Sequence, residues 1–228
     1  MIDVRIVPAG DSALVLEFDA RIDPVINARV VHAADILREA RMRGVRDVVP
    51  TFRSVCVYFD PLVTDVEALA ATMRRAATLA GERASSEGRQ IEIPVCYGGE
   101  FGPDLDDVAA FGRMERNDVI RAHTAVDYRV FMLGFVPGFA YMGIVDPRIA
   151  APRRPSPRAR VAAGSVGIAG EQTGVYPQET PGGWNIIGRT PLNMLTGDVH
   201  GPTLIRPGDL VTFRAIDRGV FDEMAAAR

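Results

Sequence analysis

Two stretches in the second half of the chain are too rich in glycine, proline and aromatic residues to be ordinary amphipathic elements. They are HTAVDYRVFMLGFVPGFAYMG, residues 123–143, and GSVGIAGEQTGVYPQETPGGWNIIGRTP, residues 164–191. Glycine is conformationally expensive to order and proline withdraws a backbone donor, so such density demands specific turns and close backbone approaches. The second stretch also concentrates uncharged polar and aromatic groups suited to gripping a small ligand: Gln172, Thr173, Tyr176, Gln178, Trp184 and Asn185.

The rest of the chain divides into two styles. Strand-like runs VRIVPAG and SALVLEF precede a helix opening at Pro24, with Asp23 as N-cap before a proline at the first helical position. Ile26, Val30, Ala33 and Leu37 recur at helical spacing and form one apolar face. Two further strand-like runs, DVVPTF and SVCVYF, lead to a second helix opened by Thr64 and Glu67 in a capping-box arrangement. This ββαββα order predicts a small α+β sandwich over residues 1–83. Residues 81–90, GERASSEGRQ, are polar and glycine-flanked, which places a linker at 84–90. From 91 to 228 the runs IEIPVCY, DYRVFMLGF, GSVGIAG, WNIIG and DLVTFRAI alternate with turn clusters. Two short helices are expected near residues 104–111 and 117–123. Many short strands with glycine and proline turns predict a closed or nearly closed β-barrel.

Charge and composition exclude several classes. A formal net charge of −3 argues against general electrostatic binding to nucleic acid. All 26 basic residues are arginine, so Schiff-base lysines, lysine nucleophiles and a P-loop GK[ST] are excluded. Cys56 and Cys96 sit in apolar strand-like runs and read as small core residues rather than a disulfide framework or a zinc site. The N-terminal MIDVRIVPAGDS has charges where a signal peptide needs an apolar run, and the uncharged run 130–145 is broken by glycines and Pro137. A cytoplasmic protein is expected, with no membrane association.

His123 could act as a general base or be a structural cation at a helix C-terminus; His32 and His200 read as incidental. Phe135, Phe139 and Tyr141 flank a Pro137–Gly138 turn, a hairpin whose aromatics pack the barrel or wall a site. The proline-stiffened run APRRPSPRARV, residues 151–161, carries four arginines. Arg153, Arg158 and Arg189 are the expected contacts for an anionic substrate, and the sequence does not rank them. Glycines 164, 167 and 170 do not follow the dinucleotide spacing; a strand that tolerates close approach is the better reading, followed by a turn at 172–177. No Ser-His-Asp, Cys-His or metal-ligand spacing is present.

Over nearly its whole length, and on the two motifs above in particular, the chain resembles the family of 5-oxoprolinase B subunits. That family is also called allophanate hydrolase subunit 1 or kinase-A-inhibitor-like. The resemblance implies a small ferredoxin-like α/β sandwich followed by a cyclophilin-like barrel. It implies a protein that joins a carboxyltransferase-like 5-oxoprolinase C subunit to form a catalytic unit, and the lack of a self-sufficient nucleophile or nucleotide motif adds the expectation that it is inactive alone. With the 5-oxoprolinase A subunit, the complex opens 5-oxo-L-proline to L-glutamate. ATP serves as co-substrate, without a nucleotide motif or covalent cofactor in this chain. The matching positions imply His123, Gln172, Tyr176, Trp184 and Arg189 as site residues; with the residues read above, His123, Gln172 and Tyr176 are expected to be catalytic and Arg153, Arg158, Thr173, Trp184 and Arg189 to contact substrate, with no metal. The family's other names imply two alternatives: a regulator that inhibits a sensor histidine kinase, or one component of an allophanate- or urea-type amide hydrolase or carboxyltransferase.

Overall fold

The computed structural model describes residues 4–83, 88–198 and 201–227. The chain forms two compact units, Met1–Glu87 and Gly88–Arg228. Residues 84–87 of the expected linker, and His200, lie outside the described residues.

In the first unit the strands are β1 (Arg5–Pro8), β2 (Ala13–Glu17), β3 (Val45–Pro50) and β4 (Ser54–Phe59). The helices are α1 (Pro24–Glu39) and α2 (Val66–Arg83). The sheet runs β1-β2-β4-β3, every pair antiparallel. The start of α1 follows from its first residues: Asp23 Oδ1 accepts from the Val25 and Ile26 amides at 2.8 and 3.1 Å, and Pro24 needs no donor partner there. The expected Thr64–Glu67 capping box does not form. Gly44, at φ 82°, leaves space that a Cβ would deny to Thr64 Oγ1. The Thr64 hydroxyl donates to the Arg43 carbonyl at 3.2 Å, and the cap passes to Asp65, whose Oδ1 accepts from the Ala68 amide at 3.0 Å.

Leu14 and Leu16 of β2 and Val55, Val57 and Phe59 of β4 alternate onto one face and bury against Val30 and Leu37 of α1 and Leu69 and Met73 of α2. Cys56, between Val55 and Val57, falls on the other face and is half-buried, as is Cys96, so neither is the core residue expected. The ββαββα order departs from the βαββαβ order of a ferredoxin-like unit. What stands is the coarser arrangement of two helices on one face of an antiparallel sheet.

The second unit contains β5 (Gln90–Tyr97), α3 (Leu105–Gly112), α4 (Arg116–Thr124), β6 (Asp127–Leu133), β7 (Ala140–Gly143), β8 (Arg158–Val161), β9 (Ser165–Ala169), β10 (Gln172–Val175), β11 (Thr180–Gly182), β12 (Asn185–Arg189), β13 (Leu210–Ala215) and α5 (Arg218–Ala226). Seven strands close into a barrel in the order β10-β7-β6-β13-β5-β12-β9, and β8 and β11 form a separate ribbon. Among the described strands only β5 and β13 pair in parallel. Closure removes exposed sheet edges. Residues 172–175 are a strand rather than the expected turn, because both their edges are occupied, by β7 on one side and β9 on the other. The C-terminal α5, capped by Asp217 on the Val220 amide at 2.9 Å, has no counterpart among the elements expected from sequence.

Candidate functional site

Strand alternation gives the barrel wall two faces with different tasks. Met142, Ile168, Thr173 and Ile187 point into the barrel interior, where the apolar ones join a core with Ile93, Val130 and Phe213. Their chain neighbours Tyr141, Ala169 and Ile186 point outward and join a second apolar cluster with Phe139, Tyr176 and Trp184. On that outer face lies a pocket of about 380 Å³, within the range of small-molecule sites. Its walls are Tyr141, Ala169 and Gln172 from the barrel, Phe135 and Phe139 from the β6–β7 turn, Arg153 and Pro157 from the arginine-rich loop, Tyr176, residues 180–182 of the ribbon, and Gly183 and Trp184 between β11 and β12.

Phe139 organises the aromatic side of the pocket. Its ring stands edge-to-face against Phe135, Tyr141, Tyr176 and Trp184 at centroid distances of 5.7, 5.0, 5.1 and 5.3 Å. These are favoured quadrupole geometries. The expected hairpin around Pro137–Gly138 forms, and its aromatics both pack and wall the pocket. Phe135 takes a left-handed backbone at φ 66° and remains 62% exposed at the pocket mouth. Such a conformation costs a non-glycine residue on the order of 1 kcal/mol. Tyr176 is buried, and its hydroxyl would lie 2.3 Å from a Cβ on Gly182. Burial pushes the Tyr176 phenol up, opposed by the Trp184 backbone N–H and the Arg153 charge, so the hydroxyl stays protonated near neutral pH. Tyr141 is likewise raised by burial.

The arginines separate by partner. Asp104, with only 2% of its side chain exposed, accepts from Arg154 Nη1 at 2.6 Å and from both terminal nitrogens of Arg158 at 2.7 Å. Its Oδ2 also accepts from the Ile186 amide at 2.7 Å. This buried carboxylate therefore ties the arginine loop to the β12 wall, and Arg158 is a brace rather than a pocket residue. Arg189 lies away from the pocket, with its Nε donating to the Ala163 carbonyl at 2.8 Å and its guanidinium 5.7 Å from the Phe101 ring centroid. Arg153 lines the pocket.

His123 and Thr173 do not face the pocket. His123 is fully buried in the barrel interior, stacked on Phe213 at 4.5 Å between ring centroids. Thr173 Oγ1 donates to the Gly167 carbonyl at 3.0 Å, so it accepts from His123 Nε2–H at 2.9 Å. His123 Nδ1 then accepts from the Tyr97 hydroxyl at 2.8 Å. Both ring nitrogens are satisfied in the neutral tautomer, and burial depresses the pKa to about 3. At neutral pH this histidine is an uncharged hydrogen-bonding bridge across the core.

Of the predicted site residues, Gln172, Tyr176, Trp184 and Arg153 thus come together, while His123, Thr173, Arg158 and Arg189 serve elsewhere. Asn185 is structural: its Nδ2 donates to the Pro152 and Ile168 carbonyls at 2.8 and 3.2 Å. Gln178 is exposed outside the pocket. Sequence reasoning missed Asp104, whose position ahead of α3 resembles an ordinary helix cap although its side chain makes no capping bond. It also missed the glycine backbone at 182–183; the GG dipeptide was the available signal. Among the described residues no His/Cys/Asp/Glu group has the arrangement of a metal site, and no helix is long and apolar enough to cross a membrane.

Residues 4–205 match the family described as carboxyltransferase domain, subdomain C and D. The chain belongs to that family. Within it, the 5-oxoprolinase B subunit of Bacillus subtilis (strain 168) is 42% identical over 214 residues, covering 90% of this chain and 89% of that protein. The 5-oxoprolinase B subunit of Escherichia coli O157:H7 is 40% identical over 212 residues, covering 92% and 95%. These relatives make the chain a member of the family of 5-oxoprolinase B subunits. Among solved structures, the crystal structure of TTHA0988 superposes with a TM-score of 0.80 at 34% identity over 90% of this chain. The present chain spans only 40% of that protein's length.

Proposed function

We propose that this chain is the B subunit of an ATP-dependent 5-oxoprolinase. In this reading it forms a catalytic unit with a C subunit, and the two act with an A-type partner to open 5-oxo-L-proline to L-glutamate. The observation that carries the reading is the pocket itself, in which the Gln172 amide and the protonated Tyr176 hydroxyl sit among four aromatic rings. A five-membered lactam has the matching chemistry. Its methylene edge packs on Tyr141 and Trp184, and its amide C=O and N–H meet an acceptor-donor amide and a phenol donor.

Ring opening adds water across the lactam C–N bond, leaving a carboxylate and an amine. This chain's residues bind and orient the ring, exclude bulk water with the aromatic wall, and donate hydrogen bonds to the carbonyl oxygen as charge develops on it. The lining offers the hydroxyls of Thr180, Tyr141 and Tyr176 but no histidine, cysteine or carboxylate to activate them. The groups that activate water and use ATP therefore come from the two partner proteins, and this chain alone is inactive.

Reconstitution with both partners, ATP and 5-oxoproline tests this. Glutamate release should require all three proteins and ATP, and Gln172→Ala should lower kcat/KM roughly tenfold or more. Release by the two partners without this chain, or undiminished release with Gln172→Ala, sinks the reading.

A further inference from the structure

The pocket carries a charge that no carboxylate among the described residues neutralises. Of the four arginines in residues 151–161, Arg154 and Arg158 share Asp104, and Arg160 pairs with Glu179 at 3.0 Å. Arg153 has no carboxylate partner among the described residues, and it is the only charged residue in the pocket lining. Its position is set from both sides. The Pro152 carbonyl accepts from Asn185 Nδ2, and the Arg154 amide donates to the Gly183 carbonyl, each at 2.8 Å. A guanidinium presented by an anchored loop, beside aromatic walls and without a protein counter-ion, is the arrangement that recognises a ligand carboxylate through forked hydrogen bonds. Arg158 and Arg189 are excluded from that task by their own partners.

We propose that Arg153 is the specificity-determining residue of this pocket, selecting small ring compounds that bear a carboxylate and rejecting their neutral counterparts. The proposal rests on the reading of the pocket as a lactam site and adds to it the group beside the lactam. Arg153 is exposed to solvent at the pocket, so its charge-assisted hydrogen bonds are screened and should favour the carboxylate over the neutral form roughly tenfold.

The test uses the full chain and four probes in calorimetric or ligand-observed NMR titrations. The probes are 5-oxo-L-proline, its primary amide, cyclopentanecarboxylate and cyclopentanecarboxamide. Wild type should prefer each carboxylate over its amide by that factor. Arg153→Gln should bring the two within about threefold without altering the melting temperature, and Arg160→Gln should leave the preference intact. The proposal is overturned if the preference survives Arg153→Gln, if both amides bind wild type as well as their acids, or if none of the four binds. The lactam reading fails separately. Arg153-dependent binding of cyclopentanecarboxylate without binding of 5-oxoproline would retain the carboxylate selection and discard the lactam. Equal binding of both lactams, whatever their charge, would do the reverse.

Discussion

Replacing Asp104 with asparagine preserves shape and removes a charge, and the structure allows its cost to be worked out. The carboxylate accepts four hydrogen bonds of 2.6–2.7 Å, from Arg154, Arg158 twice and the Ile186 amide. In asparagine one oxygen becomes an NH₂ group, so whichever way the amide turns, two donors that had an acceptor meet a donor. Removing one partner of a buried ion pair costs about 3–5 kcal/mol. Here the guanidiniums are 31% and 28% exposed, so they can recover part of their hydration, and about 2–4 kcal/mol is expected. For a chain of this size that lowers the melting temperature by roughly 4–16 °C. The single tryptophan, Trp184, lies two residues from Ile186 and reports on the barrel unit, so urea unfolding followed by tryptophan fluorescence is the assay. A loss below about 1 kcal/mol would show that the Asp104 cluster is surface-like and would refute its role as the brace of the pocket.

Two more outcomes follow from the second unit. His123 is neutral when folded, with a pKa of about 3, and titrates near 6.5 when unfolded. The unfolded state therefore binds the extra proton, and stability that is complete above pH 6.5 falls as pH drops toward 3, by up to about 1.4 kcal/mol per pH unit. Urea unfolding of wild type and His123→Gln at several pH values between about 7 and 4.5 should show the gap between them narrowing as the medium is acidified; a constant gap would contradict a buried neutral imidazole. Gly182→Ala places a Cβ 2.3 Å from the hydroxyl of Tyr176, so the ring or the ribbon must shift to admit it. A loss of about 1–3 kcal/mol is expected by the same fluorescence assay together with weaker ligand binding, and an unchanged midpoint would show that the ribbon gives way freely.

What the sequence determined by itself is what local chemistry decides within a few residues. Asp23 and Pro24 start α1 because an acceptor and a missing donor act on the adjacent amides, and Pro137–Gly138 turns the chain between β6 and β7. SVCVYF reads as a strand and forms one, although the reading of Cys56 as a core residue overlooked its alternation with Val55 and Val57, and many short strands with glycine turns close into a barrel. The tertiary structure alone decided which predicted site residues share a space. Gln172 and Thr173 are adjacent and chemically similar, yet the pairing of β10 with β7 and β9 sends one to the pocket and the other to the core. His123 became a core bridge through Tyr97 and Thr173, which are 26 and 50 positions away. Arg158 was taken out of the site by Asp104, 54 positions distant, and that leaves Arg153 as the unneutralised charge. Strand parity and long-range ion pairing are set by register and chain closure, and no window of neighbouring residues contains either.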